Sequence, residues 1–327
     1  MPTLSVDFGG TAIKVGVVAD GELSGTTEFV STSTPRDLER TEHEARALIG
    51  DGAIAGVGIA VPGIVDRRRG TLAAAHGKQG YLHGRDLRSW ARERFGVPAE
   101  IENDGRAALL GEVTYGVARG ETDVVSLSLG TGIGTAALIG GRLLRGAHDH
   151  AGVLGGHLTT DLFGERCNCG NLGCGETVGG SWALPGRIRR RLAVAPDAAW
   201  EARIETADYR LVFERAADGD PFAIALRDEA LLAWGATATN LCHAYDPDVL
   251  VLAGGVLRAG ALVPEAIERH QAAFMWSSAH RPRVVVAARP EFSVLLGLAV
   301  LAREAAETRG HGGADTTPTQ SPTEATA

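Results

Sequence analysis

Cys167, Cys169 and Cys174 have the spacing C-x-C-x4-C, and His157 lies ten residues before the first of them. Three thiolates and one imidazole complete a tetrahedral Zn²⁺ shell. Gly170, Gly173 and Gly175 let the intervening chain fold tightly around an ion. With four protein ligands the shell is closed, so the expected role is structural, contributing on the order of 10 kcal/mol to local folding. The three cysteines fall within eight residues, too close for a disulfide framework. The fourth, Cys242, stands alone on a helical pattern and reads as core.

A second kind of chemistry is suggested by two glycine turns. Asp7-Phe8-Gly9-Gly10-Thr11 and Ser128-Leu129-Gly130-Thr131-Gly132 each end an apolar run and lie about 120 residues apart. Backbone N–H groups without side chains approach phosphate oxygens closely, and Thr11 and Thr131 add hydroxyl donors. Lys14 either reaches the same anion or is a solvated strand residue. Asp7, at a strand end, is suited to hold Mg²⁺ through water. A lone Gly-Gly hairpin carries little information; two matched turns carrying Gly-Thr carry more. Gly254-Gly255, after a third apolar run, either flanks a nucleoside or is a plain strand-to-helix turn. No Walker motif occurs, which excludes a P-loop enzyme.

Asn103-Asp104 sits between a short strand pattern and a helical one. Both residue types cap helices well. The pair also precedes the second glycine turn and falls in the first half of the chain, where it can face a cleft. Phosphoryl transfer needs a base for the attacking hydroxyl's proton. Asp104 fits that base, and Asn103 is placed to hold a neighbouring hydroxyl.

These residues need a scaffold of alternating strands and helices. Apolar strand patterns cover 3–7, 12–19, 54–60, 99–102, 123–129, 135–139, 249–253 and 283–287, with a further strand after Gly21. Helical patterns cover 36–49, 86–95, 105–115, 181–192, 209–216, 221–244, 264–274 and 294–306. The repeated design of strand, glycine turn and strand predicts two related α/β lobes around a cleft. The expected division is an N-terminal lobe over 1–115 completed by a C-terminal helix at 293–307. A larger lobe over 116–292 carries the zinc loop at 157–176. The Gly/Thr/Pro/Ser tail at 309–327 is expected to be disordered.

Composition narrows the function. The 327 residues are 44% apolar and 22% charged, the balance of a soluble globular protein. A net charge of −8, with basic blocks only at 67–69 and 187–191, excludes a nucleic-acid footprint. No signal segment and no apolar run of membrane-spanning length is seen, so a cytoplasmic protein without membrane partners is expected.

Taken together these motifs resemble the ROK family of bacterial sugar kinases and repressors, over about residues 3–305. The segment from Asp7 to Lys14 resembles the family's first phosphate motif, and that from Ser128 to Gly134 the second. Glu102-Asn103-Asp104 is similar to its catalytic segment, Cys167 to Glu176 to its zinc signature, and Leu250 to Gly255 to its adenosine motif. The resemblance implies an actin-like ATPase (ribonuclease H-like) fold with a hinged cleft, usually assembled as a dimer or tetramer. It implies ATP and Mg²⁺ as cofactors beside structural Zn²⁺, with Asp104 deprotonating a sugar 6-hydroxyl. It implies sugar contacts from Gly63, Asn103, Asp104, His157 and Glu176, so that His157 serves both zinc and sugar. The family's repressors carry a DNA-binding helix-turn-helix before the first phosphate motif; with Asp7 so near the start, none is expected here.

Two departures from the family pattern bear on the substrate. Family glucokinases usually read Ala-Gly-Glu-x-Gly-His before the zinc cysteines, whereas Leu154 stands three residues before His157 here. The segment from Ala75 to Tyr81 also lacks the usual Asn-Leu-x-Trp. A lost charged hydrogen bond corresponds to roughly 1.5–3 kcal/mol, or about one to two decades of affinity. Plain glucose is therefore expected to be a poor substrate, with His76, Lys78, Asp149 or His150 meeting a different ring substituent. The Ala/Arg/Gly-rich composition resembles that of actinobacterial proteins, which points to kanosamine (3-amino-3-deoxyglucose), the substrate of a known kinase variant in the family. The alternatives are an ordinary glucokinase or N-acetylhexosamine kinase, a non-catalytic sugar sensor, and polyphosphate in place of ATP.

Overall fold

The computed structural model describes residues 1–75 and 79–311. In chain order, β1 (Thr3–Phe8), β2 (Ala12–Ala19) and β3 (Glu22–Val30) form a meander, followed by α1 (Arg36–Ile49) and β4 (Val57–Val61). A short ribbon of β5 (Ile64–Asp66) and β6 (Thr71–Ala74) leads to α2 (Leu87–Phe95), β7 (Ala99–Asn103) and α3 (Asp104–Thr114). The pattern then restarts with β8 (Val124–Leu129), β9 (Ile133–Ile139) and β10 (Arg142–Leu143). Next come α4 (Glu176–Gly179), α5 (Leu184–Val194), α6 (Ala198–Glu201), α7 (Tyr209–Ala217) and α8 (Pro221–Tyr245). The chain closes with β11 (Val249–Ala253), α9 (Leu262–Phe274), β12 (Arg283–Val286) and α10 (Pro290–His311).

The two halves build the same sheet. The first has the order β3-β2-β1-β4-β7 and the second β10-β9-β8-β11-β12, each with five strands. In each, three antiparallel strands are extended by two parallel ones: β1 with β4 and β4 with β7, then β8 with β11 and β11 with β12. β4 and β11, each with parallel neighbours on both sides, are apolar on both faces, as burial on both sides requires; every residue of β4 is buried. One core surrounds Leu4, Val6, Phe8, Ile59 and Ile101. The other surrounds Leu127, Leu129, Trp200, Trp234 and Leu252.

The last helix returns to the first sheet. Ser5 Oγ donates to the Leu295 carbonyl at 2.7 Å, and Leu298 and Leu301 pack with Ala60 and Ala107. Gly297 lies directly against the backbone of α3 at Ala107. This packing fixes α3, whose first residue is Asp104. The tail anticipated from 309 is helical through His311 and lies outside the described residues from 312 on. Among the described residues, no helix is long and apolar enough to cross a membrane.

Candidate active site

The parallel strands deliver their carboxyl ends to one edge of each sheet, where open α/β folds bind ligands. In the first sheet Asp7 stands beside Ala60, and Ala60 beside Glu102, so Asp7 and Asp104 emerge from strands separated only by β4. Asp104 opens α3. Its Oδ1 accepts from Asn103 Nδ2 at 3.0 Å and from the Gly105 N–H at 2.8 Å. The cap of α3 is Asn103, whose Oδ1 accepts from the Arg106 N–H at 3.1 Å. The other Nδ2 hydrogen of Asn103 goes to the Gly63 carbonyl at 2.9 Å. Gly63 has φ +94°, and a side chain there would strike the Ala74 carbonyl, so only glycine suits the position.

Asn103, Asp104 and Gly63 line a cavity of about 260 Å³. His157 forms part of the same wall, together with Ala74, Ala75, Val153 and Leu154. Leu154 is 41% exposed. The wall loop is held by Thr135, whose Oγ1 donates to the Gly152 carbonyl at 2.7 Å and accepts from the Gly155 N–H at 2.9 Å.

A second cavity of about 600 Å³, a size suited to a small-molecule ligand, opens on the second sheet. Gly130, Thr131, Ser181, Tyr209, Phe213, Gly255 and Arg258 line it. The β8–β9 hairpin serves both cavities, through Gly130 and Thr131 on one and Gly134 and Thr135 on the other. Gly254 closes β11 against Leu129, beside that hairpin. The first turn, at Gly9, Gly10 and Thr11, lines neither cavity; the Gly9 carbonyl accepts from Gln79 Nε2 at 2.6 Å. Lys14 pairs across from Asp7 and directs its Nζ to the Glu291 carbonyl at 3.4 Å. A larger cavity of about 670 Å³ between Arg187, Arg191 and Phe222 contains none of these residues; its Arg187 and Arg191 are already paired with Glu229, and its Arg190 with Glu165.

Asp7 is part-exposed as a residue, but its Oδ1 is shielded from solvent and has no hydrogen-bond partner among the described residues. Burial, and then the negative charge of Asp104, push its carboxyl up to about 7, while Lys14 pulls the other way. A shielded, unpartnered carboxylate oxygen beside a second carboxylate fits a divalent cation.

The four residues expected to bind zinc converge. The donor atoms of His157, Cys167, Cys169 and Cys174 lie within 4.8 Å of one another. Cys169 and Cys174 sulfurs are 3.7 Å apart, and Cys167 Sγ is 3.6 Å from His157 Nδ1. A tetrahedral ion with Zn–S of about 2.3 Å and Zn–N of about 2.0–2.1 Å has edges of about 3.8 Å and about 3.5–3.6 Å. The cluster therefore has the dimensions of a zinc shell. Burial pushes the Cys174 thiol up to about 12, with the neighbouring sulfurs adding to the shift. Deprotonating such a group calls for a cation, which is what a metal supplies.

The comparisons with known proteins agree with this arrangement. The ROK family model matches residues 3–305. The chain belongs to the ROK family. It is 32% identical over 275 residues to a glucokinase of Thermotoga maritima, covering 80% of this chain and 84% of that protein. It is 30% identical over 250 residues to a putative xylose repressor of Caldicellulosiruptor, covering 75% of this chain and 61% of that one. The structure of a ROK family glucokinase from Streptomyces griseus, in complex with glucose and AMPPNP, superposes with a TM-score of 0.78 at 29% identity, over 93% of this chain and 100% of that one. The fold is thus the two-lobed actin-like ATPase fold that the sequence motifs imply.

Glu176 stands apart from the other residues implied for the sugar. It lines neither cavity; its Oε2 accepts from the Ile133 N–H at 2.7 Å and its Oε1 from Trp182 Nε1 at 2.9 Å. Asp149 and His150 do not line the small cavity, and His76 and Lys78 lie outside the described residues.

The structure adds Arg106, which is fully buried and joins α3 to the wall loop. It donates to the carbonyls of Leu144 at 3.1 Å, Asp149 at 2.9 Å and Ala151 at 2.8 Å, and pairs with Glu102 at 3.3 Å. Its one sequence signal is an arginine among the small and apolar residues of α3.

Proposed function

We propose that this protein transfers the γ-phosphoryl group of ATP to the 6-hydroxyl of a glucose-type hexose. The observation that carries the reading is Asp104 in the wall of the small cavity, served by the same hairpin that presents Gly130 and Thr131 to the larger one. A hydroxyl held beside Asp104 loses its proton to the carboxylate as it attacks. Asn103 aims that carboxylate, and both of its Nδ2 hydrogens are spent on Gly63 and Asp104. What it retains for a sugar hydroxyl is the second lone pair of Oδ1. ATP supplies the phosphoryl group and Mg²⁺ neutralises phosphate charge when they are bound. Asp7 holds the cation, Thr131 and the glycine turns meet the phosphates, and Gly254-Gly255 flank the nucleoside. Closure of a hinged cleft brings the first turn, Gly9 to Thr11, to the phosphates. A coupled assay with ATP and polyphosphate as separate donors tests this reading; no phosphorylated product from any hexose with either donor would sink it.

The finer reading is that the preferred sugar is a modified glucose such as kanosamine. It is supported by Leu154, which puts an apolar side chain in the cavity wall where family glucokinases carry a glutamate. Comparing kcat/KM for glucose, mannose, N-acetylglucosamine, N-acetylmannosamine and kanosamine decides it. Equal or better turnover of glucose makes this an ordinary glucokinase.

A further inference from the structure

We infer that Glu176 is a positioning residue that holds the second glycine turn in the form that receives nucleotide phosphates, an inference that rests on the nucleotide reading above.

Three hydrogen bonds tie the segment after the zinc cluster to that turn. Besides the one Glu176 accepts from the Ile133 N–H, the N–H groups of Ser181 and Trp182 donate to the carbonyls of Gly130 and Thr131, both at 3.1 Å. Trp182 Nε1 braces the carboxylate from within the segment. A planar peptide has its N–H opposite its carbonyl, so anchoring these carbonyls also sets where the following N–H groups point. The approach is close: a Cβ on Gly132 would stand 2.5 Å from Glu176 Oε2. Glu176 is only 7% exposed, and a buried carboxylate is tolerable because both oxygens meet a donor. It sits two positions beyond Cys174, so the cysteine cluster and the phosphate turn are mechanically joined through it. A residue that only contacted sugar would line the small cavity, and Glu176 does not.

Glu176→Gln tests this. The glutamine offers one acceptor and one NH2 where two donors converge, so either Ile133 N–H or Trp182 Nε1 faces another donor. ADP affinity is measured by calorimetry without sugar, alongside zinc content and Tm. Wild type binds ADP, and the variant, with zinc unchanged, binds it roughly tenfold or more weakly. Adding Trp182→Phe removes the second donor, lets the glutamine turn its oxygen to Ile133, and recovers ADP affinity. If Glu176→Gln does not fold, Trp182→Phe alone carries the test, with a several-fold loss of ADP affinity expected. Unchanged ADP affinity with a raised KM for sugar overturns the inference and returns Glu176 to a sugar contact. Wild-type protein that binds no ADP overturns the nucleotide reading itself.

Discussion

The Nδ2 of Asn103 donates to Asp104 Oδ1 across 3.0 Å while the Oδ1 of the same asparagine closes the first turn of α3. The cap thereby falls to Asn103, which leaves Asp104 available for the role of base proposed above. Asp104→Asn keeps the cap and forfeits only a favourable first-turn charge, about 0.3–1 kcal/mol. Its Tm should change little, and its turnover should fall roughly 10²–10⁴-fold or more if Asp104 is the base. Parallel melting curves and a coupled kinase assay check both. Unchanged turnover would favour a sugar sensor.

Asp7 should make activity and stability respond to pH in opposite senses. Its folded-state carboxyl titrates near 7, above the ordinary value of 3.8, so the folded chain without cation holds more protons between those two values. By linkage, its contribution favours folding at low pH and is lost as pH rises toward about 7. Cation binding needs the carboxylate, so turnover should decline as pH drops through that region, and added Mg²⁺ should move the decline to lower pH. Asp7→Asn should melt higher than wild type at pH 8 without cation, yet be nearly inactive. Melting curves at pH 5 and 8, and kcat/KM against pH at two Mg²⁺ concentrations, check it.

The four converging donors predict one tightly held zinc per chain. Metal analysis of purified protein should find it, and Cys169→Ser should lose it. A closed structural site contributes on the order of 10 kcal/mol to local folding. Chelation should therefore lower Tm and expose the loop that carries His157 and leads to Glu176. Protein that melts identically with and without chelator would remove the metal from the account.

What was legible in the sequence follows from range. Motifs contiguous in the chain, such as Asp7 to Lys14 and Cys167 to Cys174, are read because their geometry is local. The duplicated sheets are visible because each half begins with the same strand–turn–strand pattern. The strand expected at 54–60 begins instead at Val57, although Ile54 is buried. Ala55 and Gly56 bond to Pro2 and Leu4 before the chain joins β1, so burial and sheet pairing start at different residues. The β5–β6 ribbon went unread because Arg67 to Arg69 look like a solvated charge run, yet they form its turn. Tyr209 and Phe213, one turn apart on α7, meet Thr131 and Arg258 at the cavity of about 600 Å³ from distant stretches of the chain, and no spacing announces that.

Arg106 should prove structural and kinetic at once. Removing one member of a buried ion pair typically costs about 3–5 kcal/mol. Arg145 also pairs with Glu102, at 2.5 Å, so the lower end is expected for Arg106→Met. Three carbonyls of the 144–151 segment lose their donor in the same variant. That segment leads into Val153 and Leu154, so the KM for sugar should rise while ADP affinity stays near wild type. Arg106→Lys keeps the charge but cannot reach all three carbonyls, and should fall between the two. Denaturant melts and sugar-dependent kinetics check both variants.

Leu154→Glu bears on the sugar directly. The leucine sits in the cavity wall and is 41% exposed, so a glutamate there can stay hydrated when no sugar is bound and carries little folding penalty. With a hexose in place, the new carboxylate can accept from ring hydroxyls, a charged hydrogen bond of roughly 1.5–3 kcal/mol. If the apolar wall is what disfavours glucose, the variant should gain about one to two decades in kcat/KM for glucose. An acyl group or a deoxy position packed on Leu154 would lose ground in the same variant. The ratio of kcat/KM for glucose to that for the best modified sugar is therefore the quantity to follow. A ratio that does not move on Leu154→Glu would show that sugar choice is made elsewhere in the cavity.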